Sequence, residues 1–303
     1  DKMYIRNEIL KLKKEKGAII LAHYYQIPEI QEIADYVGDS YYLSKIAKDC
    51  EENIIVFCGV KFMAESAKIL SPEKTVILPV MEAGCVMADM ATADGLAKLK
   101  EEHPNAKVVC YINSSTEVKA LSDVCCTSSN AENIINNLEE KEIIFLPDRN
   151  LGSYIQEKTP DKKFILWNGF CIVHEAIQKE EILRLKSEHE GILTVAHPEC
   201  SKEIRDISDF IGSTSEIINF VNNSSNKKFI IITEEGVLHQ LRKNGEEKEF
   251  YIPYGKMVCR NMKMTTLKDL YESLLKMENK IEIDEDLRLK AYNSLKNMHK
   301  LGG

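Results

Sequence analysis

The chain has 303 residues, 44% of them hydrophobic and 29% charged, with a formal net charge of −8. That balance is ordinary for a soluble globular protein, and its sign argues against nucleic acid or an anionic membrane as the main partner, because both need a basic field. No apolar run approaches the roughly 18 residues of a membrane span, and nine cysteines without a Cys-x-x-Cys pair fit reduced thiols in the cytoplasm rather than a disulfide framework.

From the amino end, residues 5–16 carry Ile5, Ile9 and Leu12 on one face and predict an amphipathic helix, not a signal peptide. Residues 18–22 form a short apolar run that suits a strand covered on both faces. Pro28 opens a second helix whose apolar face is Ile30, Ile33, Ala34 and Val37, with Gly38 as its end. The same order returns from Thr92 and from Glu175, so each of three units reads helix, strand, four times over. Residues 222–228 predict a polar loop, and residues 265–300 predict helices around a charged turn. His103, His189 and His299 fall in charged helical stretches and read as surface groups, whereas His239 reads as structural.

The units share a phase as well as an order. His23, Tyr111 and His197 each close an apolar run, at spacings of 88 and 86 residues. Seventeen residues after each stands a hydroxyl, Ser40, Ser128 or Thr214. Seventeen further on lies the middle of another run, at Phe57, Phe145 and Ile231. A lone cysteine then follows a fourth run: Cys85, Cys171 and Cys259. Repetition of this kind decides the architecture. Short strands alternating with helices predict parallel sheets with helices on both faces, whose ligands gather at the carboxyl ends of the strands. The expected fold is α/β: three homologous α/β/α sandwich units with short parallel sheets, at 1–88, 89–174 and 175–303. They are arranged with pseudo-threefold symmetry around a central active site, the third unit continuing into C-terminal helices.

The repeat separates chemistry from packing. Any single cysteine is more often core than ligand, and Cys50, Cys58, Cys110, Cys125, Cys126 and Cys200 have no counterpart at their phase. Cys85, Cys171 and Cys259 do. Three thiolates suit a cubane iron–sulfur cluster with one iron left open; a catalytic zinc is the competing metal. Ser40, Ser128, Ser213 and Thr214 precede helical stretches, where N-capping is the simpler role, with capping-box spacing at Ser213–Glu216 and Ser129–Glu132. A helix start also receives anions. His23, Tyr25, Tyr111, Asn113, His197 and Glu199 stand at equivalent strand ends, and histidine, glutamate and tyrosine are proton-transfer groups once tuned. His174 follows Cys171 closely and reads either as support for it or as the first turn of a helix.

These residues resemble the quinolinate synthase family. The resemblance rests on His23-Tyr24-Tyr25-Gln26, Gly38-Asp39-Ser40, Tyr111-Ile112-Asn113-Ser114, Cys126-Thr127-Ser128, Pro147-Asp148-Arg149-Asn150-Leu151, Gly169-Phe170-Cys171-Ile172-Val173-His174, His197-Pro198-Glu199-Cys200, Gly212-Ser213-Thr214, Thr233-Glu234 and Cys259-Arg260-Asn261-Met262-Lys263. Val86 stands after Cys85 where a proline is common. The resemblance implies a [4Fe–4S] cluster held by Cys85, Cys171 and Cys259 with one open iron, used as a Lewis acid. It implies condensation of iminosuccinate with dihydroxyacetone phosphate to quinolinate, phosphate and water in NAD biosynthesis, and transient contact with L-aspartate oxidase. By motif, the substrate-holding residues are His23, Ser40, Tyr111, Ile112, Asn113, Ser128, His174, His197, Pro198, Glu199, Ser213 and Thr214. Tyr25, Tyr111, Glu199 and His23 take the catalytic roles. Two rivals stay open: a hydro-lyase with an open-iron cluster acting on another small polycarboxylate, and a non-catalytic metal or ligand sensor built on three cysteines.

Overall fold

The fold is described from a computed structural model, which covers residues 1–244, 247–253 and 257–303. The first unit contains α1 (Lys2–Lys16), β1 (Ala18–His23), α2 (Pro28–Ile33), β2 (Tyr36–Gly38), α3 (Ser40–Asp49), β3 (Ile54–Cys58), α4 (Lys61–Leu70) and β4 (Thr75–Ile77). After the short α5 (Val86–Met90) come α6 (Ala93–Glu102), β5 (Lys107–Tyr111), α7 (Thr116–Ala120), β6 (Val124–Cys126), α8 (Ala131–Asn136), β7 (Glu142–Leu146), α9 (Arg149–Lys158) and β8 (Lys163–Leu166). After α10 (Ile172–Glu175) come α11 (Lys179–Glu188), β9 (Leu193–Ala196), α12 (Lys202–Asp206), β10 (Phe210–Ile211), α13 (Thr214–Asn223), β11 (Lys228–Ile232), α14 (Leu238–Asn244) and β12 (Glu249–Tyr251). The chain closes with α15 (Leu267–Lys276) and α16 (Glu285–Leu301).

The strands form three four-stranded sheets with orders β2-β1-β3-β4, β6-β5-β7-β8 and β10-β9-β11-β12, and every pairing is parallel. Their central strands are fully buried, as runs such as Ala18–His23 and Phe229–Ile232 require. Helices cover both faces, so the expected α/β architecture of three α/β/α units is present.

One boundary differs from the sequence reading. The second helix ends at Ile33, and Val37 and Gly38 belong to β2, paired with Ala22 and His23. Asp35 is the reason: its Oδ2 accepts the Ile20 N–H at 2.7 Å and its own N–H bonds the Ile20 carbonyl at 2.8 Å. That pair stops the helix and lays the chain beside β1. Asp123 and Asp209 repeat the device with Val108 and Thr194, each accepting at 2.8 Å. Helix α13 also runs to Asn223, so the polar loop begins later than expected.

Helix α16 buries Ala291, Leu295 and Met298 in a core shared by the first two sheets. His299 on it is no surface group. It stacks on Tyr41 of α3 with ring centroids 5.6 Å apart, and burial, with Lys48 and Lys45 nearby, lowers its pKa to about 4.

Candidate active site

At the carboxyl ends of the strands lies a cavity of about 400 Å³ whose wall draws on all three units. His23, Tyr25, Ser40, Tyr111, Asn113, Ser128, His174, His197, Glu199 and Thr214 face it, together with Cys85, Cys171 and Cys259. Ile112, Pro198 and Ser213 are buried but are not on this wall.

The helix starts divide their labour. Ser213 caps α13 with a full capping box to Glu216, which leaves Thr214 free to hydrogen-bond Tyr25 Oη at 2.8 Å. The cap of α3 is Asp39, not Ser40, so the Ser40 hydroxyl is left for the cavity. The Ser129–Glu132 capping box does not form. Asn130 occupies the cap position without a side-chain bond to the helix, and Ser129 Oγ pairs with Thr127 Oγ1 at 2.9 Å.

His23 and His197 are held alike. Each Nδ1 accepts the backbone N–H two residues on, from Tyr25 and from Glu199, both at 3.1 Å. An accepting Nδ1 leaves the ring proton on Nε2. Burial lowers the pKa of His23 to about 3 and of His197 to about 4, despite the nearby Glu199 carboxylate. Both rings therefore act as neutral donors. The 3.9 Å approach of His197 Nδ1 to the Glu199 carboxylate is accordingly not an ion pair.

Between them runs one continuous series of polar contacts. Tyr25 Oη meets Thr233 Oγ1 at 2.9 Å, and Thr233 Oγ1 meets His174 Nε2 at 2.9 Å. His174 Nδ1 lies 3.2 Å from both Cys171 Sγ and Glu199 Oε1, and Tyr111 Oη donates to Glu199 Oε2. Burial, reinforced by Glu199, pushes both phenols well above their usual range. Burial alone would raise Glu199 too, but His174 and Tyr111, which approach its two carboxylate oxygens, hold it as a carboxylate.

The three cysteines lie beyond the strand ends, in the loops after β4, β8 and β12. Cys85 and Cys171 stand at the N-cap positions of α5 and α10, and Cys259 precedes a short 3-10 turn, Asn261–Lys263. Burial pushes their thiols up, Cys85 to about 12, while backbone N–H groups of Met87 and Ala88, of His174, and of Asn261 and Met262 favour the thiolates. Three such thiolates would need the positive charge of a metal centre for the remaining stabilisation. The non-repeating Cys58, Cys110, Cys125, Cys126 and Cys200 are buried, and Cys50 is partly so; none of these six lines the cavity. A different donor set is also present: ligand atoms of Cys171, His174 and Glu199 lie within 4.8 Å of one another.

Several contributors escaped the sequence reading of roles. Thr233 links Tyr25 to His174. Glu234 accepts the N–H of Cys259 at 2.8 Å and pairs with Lys263 at 3.0 Å, and Lys263 also donates to the Tyr25 carbonyl at 2.6 Å. Asn150 donates to the Glu199 carbonyl at 3.2 Å. Their only sequence signal was membership of the quoted motifs.

The family model described as quinolinate synthetase A protein matches residues 7–300. A quinolinate synthase of Clostridium perfringens (strain 13) is 99% identical over 99% of this chain and 100% of its own length. One of Clostridioides difficile (strain 630) is 60% identical over 97% of both chains, and one of Caldicellulosiruptor bescii is 52% identical over 98% of both.

Proposed function

We propose that this chain, which belongs to the quinolinate synthetase A family, makes quinolinate by condensing iminosuccinate with dihydroxyacetone phosphate, releasing phosphate and two waters, with a [4Fe–4S] cluster held by Cys85, Cys171 and Cys259. One observation carries the reading: a continuous series of polar contacts, Thr214–Tyr25–Thr233–His174–Glu199–Tyr111, joins the three sheets across a cavity that also holds the three thiols.

Such a series suits a reaction that takes protons from carbon and nitrogen and returns them to leaving oxygens. Glu199 is the acceptor, and Tyr111 and Tyr25 are the donors at either end, their phenols kept protonated by burial. Neutral His23 and His197, with Ser40, Ser128 and Asn113, offer donors to the carboxylates of a dicarboxylate substrate without adding charge of their own. The cavity wall screens a hydrolysable imine from bulk water. When bound, a cluster with one open iron supplies a Lewis acid that polarises a hydroxyl or carbonyl oxygen. Nine unpaired thiols suit a reducing cytoplasm.

The Cys171–His174–Glu199 group supports a second reading, a single divalent ion. Iron and sulfide analysis of anaerobically purified protein separates the two, since a lone ion brings no sulfide. The same preparation, given both substrates, should yield quinolinate by chromatography; a fully loaded protein that forms none overturns the proposal.

A further inference from the structure

We propose that Gln31, Lys119 and Arg205 are positioning residues for quinolinate formation. Each holds the strand-end loop of its own unit and fastens it to the next unit around the cavity. The proposal rests on the reading of that cavity as the reaction site.

Each residue stands eight positions beyond a strand-end group, His23, Tyr111 or His197. Each lies in the first crossover helix of its sheet, α2, α7 or α12, and none is more than 3% exposed. Gln31 Nε2 donates to the carbonyls of Tyr24 and Gln26, both at 2.9 Å. Lys119 Nζ donates to the carbonyls of Ile112 at 2.7 Å and Ser114 at 2.5 Å. Arg205 Nη1 donates to the Cys200 carbonyl at 2.8 Å. These acceptors are the first and third residues after the strand end, Arg205 taking the third alone. The residue between them is Tyr25, Asn113 or Glu199, each on the cavity wall. Gln240 donates to Gln31 Oε1 at 2.9 Å, which fixes Nε2 as the end facing the loop.

The same three side chains also reach a neighbouring unit. Gln31 Nε2 also reaches the Gly236 carbonyl of the third unit at 3.1 Å, its two N–H groups being shared among the three carbonyls. Arg205 reaches Ser153 Oγ of the second at 3.4 Å and lies 5.9 Å from the Tyr154 ring. Lys119 Nζ lies 5.8 Å from the Phe62 ring of the first. Gly236, Ser153 and Phe62 all follow the third strand of their units, so the contacts circulate in one sense: first to third, third to second, second to first. Amide, ammonium and guanidinium share only buried N–H donors, and that shared property is what the repeat has kept. A loop is otherwise the loosest part of such a fold, and a displacement of about 1 Å at reacting groups can cost roughly 100-fold in rate.

The test removes the donors and then exchanges them between repeats. Lys119→Met and Gln31→Met keep the length without N–H groups, whereas Lys119→Gln and Gln31→Lys supply the donor that the other unit uses. With iron content at the wild-type level, the methionine variants should lose about 10-fold or more in kcat with KM within about threefold. The exchanged variants should keep kcat within about threefold of wild type. Amide hydrogen exchange in residues 111–114 or 23–26 should quicken in the matching methionine variant and not in the exchanged one. Wild-type kcat in the methionine variants, or equal losses in exchanged and methionine variants, overturns the proposal. If a methionine variant does not fold, the exchanged variant decides: kcat within threefold supports the role, and a loss of 10-fold or more refutes it. Should loaded wild-type protein make no quinolinate, the functional reading fails instead, and hydrogen exchange alone still decides whether these side chains hold the loops.

Discussion

Tyr25, Thr233 and Glu199 lie along one series of polar contacts through His174, so their removal should act on rate before stability. Tyr25→Phe and Glu199→Gln keep shape, and turnover should fall about 100-fold or more, as for a lost general acid or base. Thr233→Val is the sharper case, because Thr233 is fully buried and touches both Tyr25 Oη and His174 Nε2 at 2.9 Å. It should cost at least about 10-fold in kcat while leaving iron content unchanged; steady-state kinetics at wild-type rate would remove Thr233 from the path. Tyr25 and Glu199 were legible as residues because each lies two places after a strand-end histidine in matching units. Thr233 was not, since its partners lie far away in sequence and a lone threonine after an apolar run carries no pattern.

At the scale of elements, the helix starts and the last helix show what local sequence can and cannot tell. The capping box at Ser213 and Glu216 was readable because cap chemistry is local. The Asp39 cap was misassigned to the next residue, and Ser129–Glu132 fails because the turn there is tied by Asn130, whose Oδ1 accepts the Thr127 N–H at 2.7 Å. His299 was misread for a different reason: its burial comes from α3, which lies far away in sequence. Its pKa, lowered to about 4 against an unfolded value near 6.5, means the unfolded chain takes up a proton first as pH falls. The stabilisation is therefore present above about pH 6.5 and lost toward pH 4. Hydrogen exchange should show α16 loosening between pH 6.5 and 5, and His299→Gln should flatten that dependence; an unchanged slope in the variant refutes the coupling.

Across the whole molecule, the seams between units bring the candidate site's residues together. Gly236 sits where an added Cβ would lie 2.6 Å from both the Tyr24 carbonyl oxygen and the Tyr25 Cα. Gly236→Ala should therefore push the first and third units apart, costing about 1–3 kcal/mol as overpacking does and moving Tyr25 with it. Thermal unfolding and kcat should both drop, and a variant with wild-type values for both would show that the seam yields freely. The cysteine trio belongs to this scale as well. On the proposed cluster reading, alanine at Cys85, Cys171 or Cys259 should abolish visible iron–sulfur absorption and activity. Alanine at Cys58, Cys126 or Cys200 should spare both, at some loss of stability from a buried site. Anaerobic reconstitution of the six variants, read by absorption and iron content, checks the division.

Sequence periodicity by itself determined the order of elements, the three-unit plan and the separation of three cysteines from the other six, because apolar runs and their spacing are properties of the chain alone. The end of α2 was missed, since Asp35 stops the helix by bonding Ile20 across the turn to β1, a contact with no local signature. Only the tertiary structure decided which groups meet: that Thr233 joins Tyr25 to His174, and that Gln31, Lys119 and Arg205 grip equivalent loops with three unlike side chains. The physical reason is the same in each case. A hydrogen bond depends on where two atoms stand in space, and a donor can be supplied by an amide, an ammonium or a guanidinium without leaving a residue pattern to read.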